Sequence, residues 1–316
     1  MRILSAAEVD RALDDLALID RLEALFRTGC EMPTRHHHTI AVPNESDATL
    51  LLMPAWSPGG RIGVKLVTVF PDNGKRSLPA IFGQYLLLDG ATGQPLALLD
   101  GTMLTKRRTA CASGLASRYL SRPDSSRLAM IGTGALAPHL IRVHCKVRPI
   151  RKVAIWGRDP AKAESLAKEL NATMAGVAVT MAEDRRAAVE AADIVSSATL
   201  SATPLVEGAW LRPGQHLDLV GAFTPHMRES DDEAVRRARI HVDTRAGAMK
   251  EAGDIVRPLA DGVIDSENIL ADLFELTRGQ RSGRAAGDHD SITLFKSVGA
   301  ALEDLAAAEL AFSAHQ

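Results

Sequence analysis

The stretch LAMIGTGALAPHL, residues 128–140, joins an apolar run of strand length to a glycine turn and then to a helical pattern. Gly132 permits a tight turn, and Gly134 lets a pyrophosphate approach the backbone at a helix N-terminus. Ala137 fills the third small position of GxGxx(G/A), where helix and strand pack closely. Residues 132–137, with Ala135 and Leu136 inside the turn, are therefore the candidate dinucleotide cradle. The flanking sequence supplies the context that such a motif needs. From Arg127 onward, strand candidates at 128–131, 153–156, 176–180, 193–198, 216–221 and 240–243 alternate with helical patterns such as PAKAESLAKEL and DEAVRRARI. That rhythm predicts an α/β unit of the Rossmann type, a doubly wound parallel sheet with right-handed crossovers.

In such a unit the end of the second strand discriminates between cofactors. Here VAIWG passes through Trp156 and Gly157 into Arg158, Asp159 and Pro160. A basic residue at this tip suits the 2′-phosphate of NADP, and Arg158 can pair with a phosphate and stack on adenine, unless it is only a solvated turn residue. Asp159 either accepts a ribose hydroxyl or caps the helix that Pro160 opens. The expectation is NADPH preferred, with NADH possible. The fourth strand ends in Ser196, Ser197, Ala198 and Thr199, small residues where the sheet's carboxyl edge meets the nicotinamide ribose.

The first 120 residues read differently. Ser5 and Glu8 fit a capping box, followed by Leu13, Leu16, Ile19, Leu22 and Phe26 at helical spacing. Four strand-like runs follow, ATLLLMPAW, RIGVKLVTVF, AIFGQYLLLD and PLALLD, separated by short Gly/Pro/Asp turns that imply antiparallel hairpins. A helix around TKRRTACASGLASRYL then leads to a boundary at 121–124. The Ala-rich end SVGAALEDLAAAELAF reads as a helix returning to this first part. The expected division is a smaller α+β substrate and dimerisation domain, 1–120 plus about 300–316, and a nucleotide-binding domain, 121–299.

Composition narrows the partners. The chain has 316 residues, 46% of them hydrophobic, and a formal net charge of −2, which gives no electrostatic reason to expect nucleic acid or an anionic membrane. Three scattered cysteines, Cys30, Cys111 and Cys145, read as reduced thiols, and no signal-peptide pattern or spanning apolar run is seen, so a cytoplasmic protein is expected. His36, His37 and His38 alternate faces on a strand and do not converge on one ion, so no metal is expected.

Among polar residues in apolar surroundings, Lys65 stands out. Ile62, Val64 and Leu66 take one face of their strand and leave Lys65 beside Val67 and Val69 on the other. The ammonium is then either on an open sheet in water or beside an anion. Arg35 and the Arg107-Arg108-Thr109 run are candidates for gripping a carboxylate, with Arg108 also able to serve the pyrophosphate.

These residues lie in stretches that together resemble the ornithine cyclodeaminase/mu-crystallin family over nearly the whole chain: MPTR (32–35), LLMPAW (51–56), VKLVTVF (64–70), LLLDGATGQPLALLDGTMLTKRRTA (86–110), IGTGALA (131–137), LVGAFTPHMRES (219–230), EAGD (251–254) and ITLFKSVGAALEDLAAA (292–308). The resemblance implies an NAD(P)(H) enzyme acting on imine forms of amino acids, and a homodimer formed through the antiparallel sheet. It implies that Arg35, Met53, Lys65, Arg108 and Phe223 line the substrate site, with Lys65 catalytic. It further implies that Arg108, Thr109, Val220, Phe295 and Lys296 lie at the cofactor. The deaminating branches carry an aspartate two residues before the proline of the 219–230 segment, where this chain has Phe223. A phenyl ring accepts no proton. The wording VGAFTP with TMLTKRRTA is similar to the ketimine-reductase branch, in particular bacterial Δ1-pyrroline-2-carboxylate reductases of hydroxyproline breakdown. The expected activity is reduction of a five- or six-membered cyclic ketimine carboxylate to L-proline or L-pipecolate. The alternatives are an ornithine or lysine cyclodeaminase, an alanine dehydrogenase-like enzyme, or a non-catalytic NADPH-dependent binding protein of mu-crystallin type.

Overall fold

The computed structural model describes residues 1–315. Contacts divide the chain into two units, Met1–Arg108 joined by the segment from Ala301, and Thr109–Ala300. The division falls between Arg108 and Thr109, inside the helix Gly101–Leu120, and not at the 120/121 border expected from the turn residues.

In the first unit six strands, β1 (Arg2–Leu4), β2 (His36–Ile40), β3 (Ala48–Trp56), β4 (Arg61–Val69), β5 (Ile81–Asp89) and β6 (Pro95–Asp100), form one sheet in the order β1-β6-β5-β4-β3-β2. The hairpin neighbours pair antiparallel, as their short connections require, while β1 runs parallel to β6. The C-terminal helix Ala301–Ser313 packs on β3, β4 and β5 and against the helix Asp15–Thr28. The apolar run that reads as one N-terminal helix is two. Ser5 and Glu8 close a capping box on Ala6–Ala12, the chain breaks at Leu13, and Asp14 caps Asp15–Thr28 through the amide of Ala17. The corner leaves backbone and acidic groups to satisfy, and Arg107 satisfies them. Its guanidinium donates to Asp10 Oδ1 at 2.5 Å, to Asp15 Oδ1 at 2.8 Å and to the Leu13 carbonyl. Arg107 is thus a staple of the fold and not a carboxylate grip for a ligand.

The second unit holds eight strands: β7 (Arg127–Ile131), β8 (Lys152–Trp156), β9 (Ala178–Met181), β10 (Ile194–Ser197), β11 (His216–Leu219), β12 (Ala238–Val242), β13 (Ile269–Asp272) and β14 (Ile292–Lys296). Every pairing is parallel, in the order β13-β12-β14-β11-β10-β7-β8-β9. Both faces are covered, so β10, β11 and β14 are buried at every position and show no alternation. The chain runs outward from β7 to β9 and then returns to place β10 on the other side of β7. This reversal opens a crevice beyond the carboxyl ends of β7 and β10, the place where doubly wound sheets bind ligands. No helix among the described residues is long and apolar enough to cross a membrane.

Candidate active site

That crevice is a cavity of about 270 Å³ lined by Gly132, Thr133, Gly134, Trp156, Gly157, Arg158, Asp159, Lys162, Ala198, Thr199, Leu200, Ser201 and Leu205. Gly132 takes φ +114°, a conformation that L side chains rarely adopt, and its amide donates to the Trp156 carbonyl at 2.8 Å. A Cβ on Gly132 would sit 2.8 Å from the Ala198 carbonyl oxygen. Beyond the turn, the helix Ala137–Val147 starts with Leu136 at its N-cap and no side-chain cap hydrogen bond; the Ala137 amide donates to the Gly134 carbonyl at 3.0 Å and Pro138 has no N–H. Ala137 is buried, as close packing of helix on strand demands.

At the tip of β8 the two readings of Asp159 separate. Its carboxylate accepts from the amides of Ala161 at 3.1 Å and Lys162 at 3.4 Å, the geometry of a helix cap. Two exposed cations, Arg158 and Lys162, line the cavity beside it. Lys162 was not singled out by sequence reasoning, although its place two residues into a helix opened by Pro160 puts it near Arg158. Trp156 is held from behind by Arg185, whose guanidinium carbon lies 4.9 Å from its ring centroid and 5.3 Å from that of Trp210.

The other rim of the cavity is organised by a buried carboxylate. Glu229 Oε1 accepts from the Ser197 hydroxyl at 2.7 Å, the Thr199 amide at 2.7 Å and the Thr199 hydroxyl at 2.9 Å. Val220 is buried alongside. Lys296 and Phe295 are wholly buried, and Lys296 Nζ donates to the carbonyls of Leu219, at 3.0 Å, and Gly221. Lys296 therefore clamps the turn after β11 from beneath. The turn itself bears Ala222 at φ +49° and displays Phe223 43% exposed.

In the first unit, strand register places Met53, Lys65, Tyr85 and Leu99 side by side across four strands, on the face covered by the C-terminal helix. Lys65 is 3% exposed, which settles the choice between its two readings. Its Nζ lies 2.6 Å from Asp304 Oδ2. The other oxygen of Asp304 accepts from Arg108 Nε at 3.0 Å, and Arg108 Nη1 donates to Glu303 at 2.6 Å. Two cations and two carboxylates are thus buried together, each charge compensated. Burial pulls the Lys65 ammonium down to about 8. The neighbouring Asp304 opposes that shift, while Arg108 and Arg35 add to it. Arg35 is half-buried, and its effect on Lys65 places it in this cationic neighbourhood. Thr109, also half-buried, begins the second unit.

The family's sequence profile matches residues 1–315. The chain belongs to the ornithine cyclodeaminase/mu-crystallin family. It is 44% identical over 284 residues to the protein SAR DEFICIENT 4 of Arabidopsis thaliana, covering 88% of this chain and 85% of that one. It is 37% identical to a Δ1-pyrroline-2-carboxylate reductase of Colwellia psychrerythraea, over 98% of this chain and 97% of the relative. A solved Δ1-pyrroline-2-carboxylate reductase of Thermococcus litoralis, in complex with NADH and L-proline, superposes with a TM-score of 0.91 at 35% identity, over 99% of this chain and 97% of that one.

Within this family frame, the residues that sequence reasoning missed are Asp304, Glu303, Glu229 and Lys162. The first two belong to an Ala-rich helix whose periodic pattern reads as packing, and only the fold brings that helix over Lys65. The three neighbouring histidines do form β2, and no group able to hold a metal occurs among the described residues.

Proposed function

We propose that this protein reduces a cyclic ketimine carboxylate, Δ1-pyrroline-2-carboxylate or its six-membered homologue, to the L-imino acid with a reduced nicotinamide dinucleotide. The observation that carries this reading is a buried cationic pair, Lys65 and Arg108, in a chain that has Phe223 where the deaminating members have a carboxylate. Lys65, Arg108 and Arg35 are suited to a substrate carboxylate, and Met53 supplies an apolar wall beside Lys65. With its pKa lowered, the Lys65 ammonium is also an effective acid toward the imine nitrogen. Asp304 and Glu303 hold the two cations in place before substrate arrives, which is the preorganisation that electrostatic catalysis requires.

The Gly132 turn and the 270 Å³ cavity it lines fit a dinucleotide, with residues 132–137 proposed at the pyrophosphate. When bound, the reduced nicotinamide supplies the hydride. Reduction adds that hydride to the imine carbon and one proton to the nitrogen, so no base corresponding to the missing aspartate is needed.

Arg158 and Lys162 support a preference for NADPH, because Asp159 is engaged as a helix cap. Replacing Arg158 with Ala is expected to raise the KM for NADPH about 10-fold or more, the worth of a charge-assisted contact, and to leave that for NADH nearly unchanged. Equal effects on both would place Arg158 outside the 2′-phosphate site. We also propose a homodimer formed through the face of the first sheet opposite the C-terminal helix. Leu66, 37% exposed, stands on that face.

The direct test follows nicotinamide absorbance with Δ1-pyrroline-2-carboxylate as substrate, with ammonia release from ornithine, lysine or alanine measured in parallel. Rapid oxidation of the cofactor with proline as product is expected, without ammonia. Ammonia without imine reduction would assign the protein to a deaminating branch.

A further inference from the structure

Behind the wall formed by residues 198–201 lies a group of buried charges that the proposed chemistry leaves unused. Glu229 and Asp254 are both fully buried, and each has one carboxylate oxygen, Glu229 Oε2 and Asp254 Oδ2, without a hydrogen-bond partner among the described residues. Asp254 Oδ1 accepts from the amides of Glu229 and Ser230, each at 2.9 Å. The nearby cation is Lys296, with Nζ 4.0 Å from Asp254 Oδ2 and its own donors directed at backbone carbonyls. Asp243, also buried and within the field of Lys296, accepts from the amides of Thr244, Val298 and Gly299.

The three bonds into Glu229 Oε1 all come from Ser197 and Thr199, and the Thr199 hydroxyl in turn accepts from the Ser201 amide at 3.3 Å. A Cβ on Gly221 would meet the Thr199 backbone and lie 2.7 Å from the Glu229 carboxyl carbon, so this glycine permits the turn, the wall and the carboxylate to interlock. A methyl of Thr199 also lies against the Gly132 turn.

We propose that Glu229 is a positioning residue for the bound dinucleotide: its charged carboxylate fixes the wall at residues 198–201, and the wall loosens when that carboxyl takes up a proton. The inference rests on the reading of the cavity as a nicotinamide dinucleotide site. Buried carboxylates that outnumber the one lysine among them favour uptake of a proton. Burial accordingly raises Glu229 to about 7, with Asp254 adding to the shift and Lys296, Ser197 and Thr199 opposing it. The neutral acid is a weaker acceptor than the carboxylate. The wall is therefore well held above neutrality and weakened below it.

The experiment is an NADH fluorescence titration of the full chain between about pH 5.5 and 8.5. NADH is the probe because the 2′-phosphate of NADPH itself titrates in this range. For the unaltered protein the dissociation constant is expected to rise about tenfold as the pH falls through 7. In Glu229→Gln the binding is expected to be weak and independent of pH. His226 is exposed on the neighbouring turn. His226→Gln is therefore the control and should keep the pH dependence. Ser197→Ala provides a milder variant. It removes a bond that favours the charged form, so the midpoint should move to higher pH. An unchanged midpoint there, a persisting pH dependence in Glu229→Gln, or its loss in His226→Gln overturns the proposal. Absence of NADH binding to the unaltered protein at every pH would overturn the cofactor reading itself.

Discussion

Replacing Lys65 with Met is expected to lower kcat/KM for the cyclic imine by about 10²–10³-fold, the usual cost of removing one preorganised donor from a catalytic site. The side chains are similar in length, so the apolar stem is kept and the ammonium is lost. Binding of NADH should stay within about threefold of the unaltered protein, because the residues lining the dinucleotide cavity all come from the other unit. Stability should fall by less than the 3–5 kcal/mol typical of a broken buried ion pair, because Asp304 keeps its bond to Arg108. Steady-state kinetics, a fluorescence titration with NADH and a thermal melt separate the three effects. Near-normal turnover would remove Lys65 from the mechanism, and a lost melt would show that its role is structural.

A pH profile tests the same residue without altering it. In the proposed mechanism Lys65 carries its proton both to grip a carboxylate and to act as an acid. Its pKa is lowered to about 8, so at saturating NADH kcat/KM is expected to be flat below that value and to fall tenfold per pH unit above it. A lysine with its ordinary pKa would hold activity to about pH 10. Bound substrate adds a negative charge beside the ammonium, which favours its protonated form. The corresponding break in kcat should therefore lie at higher pH than the break in kcat/KM.

The parts of this site that were legible in the sequence are those imposed by backbone geometry. Gly132 is a glycine because its φ is +114°, and the apolar strand before it and the helix after it mark the turn from either side. Strand alternation was enough to put Lys65 on a particular face, but what covers that face is a tertiary fact. Asp304 reaches Lys65 only because a helix from the chain's end returns to the first sheet, and its local pattern gives no hint of an ion pair. Arg107 and Arg108 are adjacent in sequence and equally plausible as ligands, yet helical geometry sends one to the Leu13 corner and the other to Glu303 and Asp304. For Lys296 the resemblance implies a place at the nicotinamide, and what no local pattern gives is that two of its donors go to the Leu219 and Gly221 carbonyls. Strands β13 (ILAD) and β14 (ITLFK) also escaped the reading, since a short apolar run does not by itself distinguish strand from helix.

The second large effect is expected at Gly132. Replacing it with Val introduces a β-branched side chain at φ +114°, where the backbone strain alone costs about 1–3 kcal/mol. The added Cβ also lies 2.8 Å from the Ala198 carbonyl oxygen and 3.0 Å from Thr199 Cγ2. Relief requires either the turn or the wall at residues 198–201 to move, and both border the cavity proposed for the pyrophosphate. The turn's amide is meanwhile tied to the Trp156 carbonyl at 2.8 Å, which resists displacement in the other direction. Nucleotide affinity is therefore expected to fall by a factor on the order of 100 or more, while the ion pairs of Lys65 and Arg108, formed within the first unit, are kept. The measurement is NADH and NADPH binding by fluorescence or calorimetry, accompanied by far-UV circular dichroism to confirm that the sheet is intact. Ala at the same position keeps the strain and the Cβ contacts but omits the branches, so its loss should be smaller and in the same direction. A folded Val variant that binds either nucleotide normally would mean that the glycine turn is a packing device and that the dinucleotide lies elsewhere.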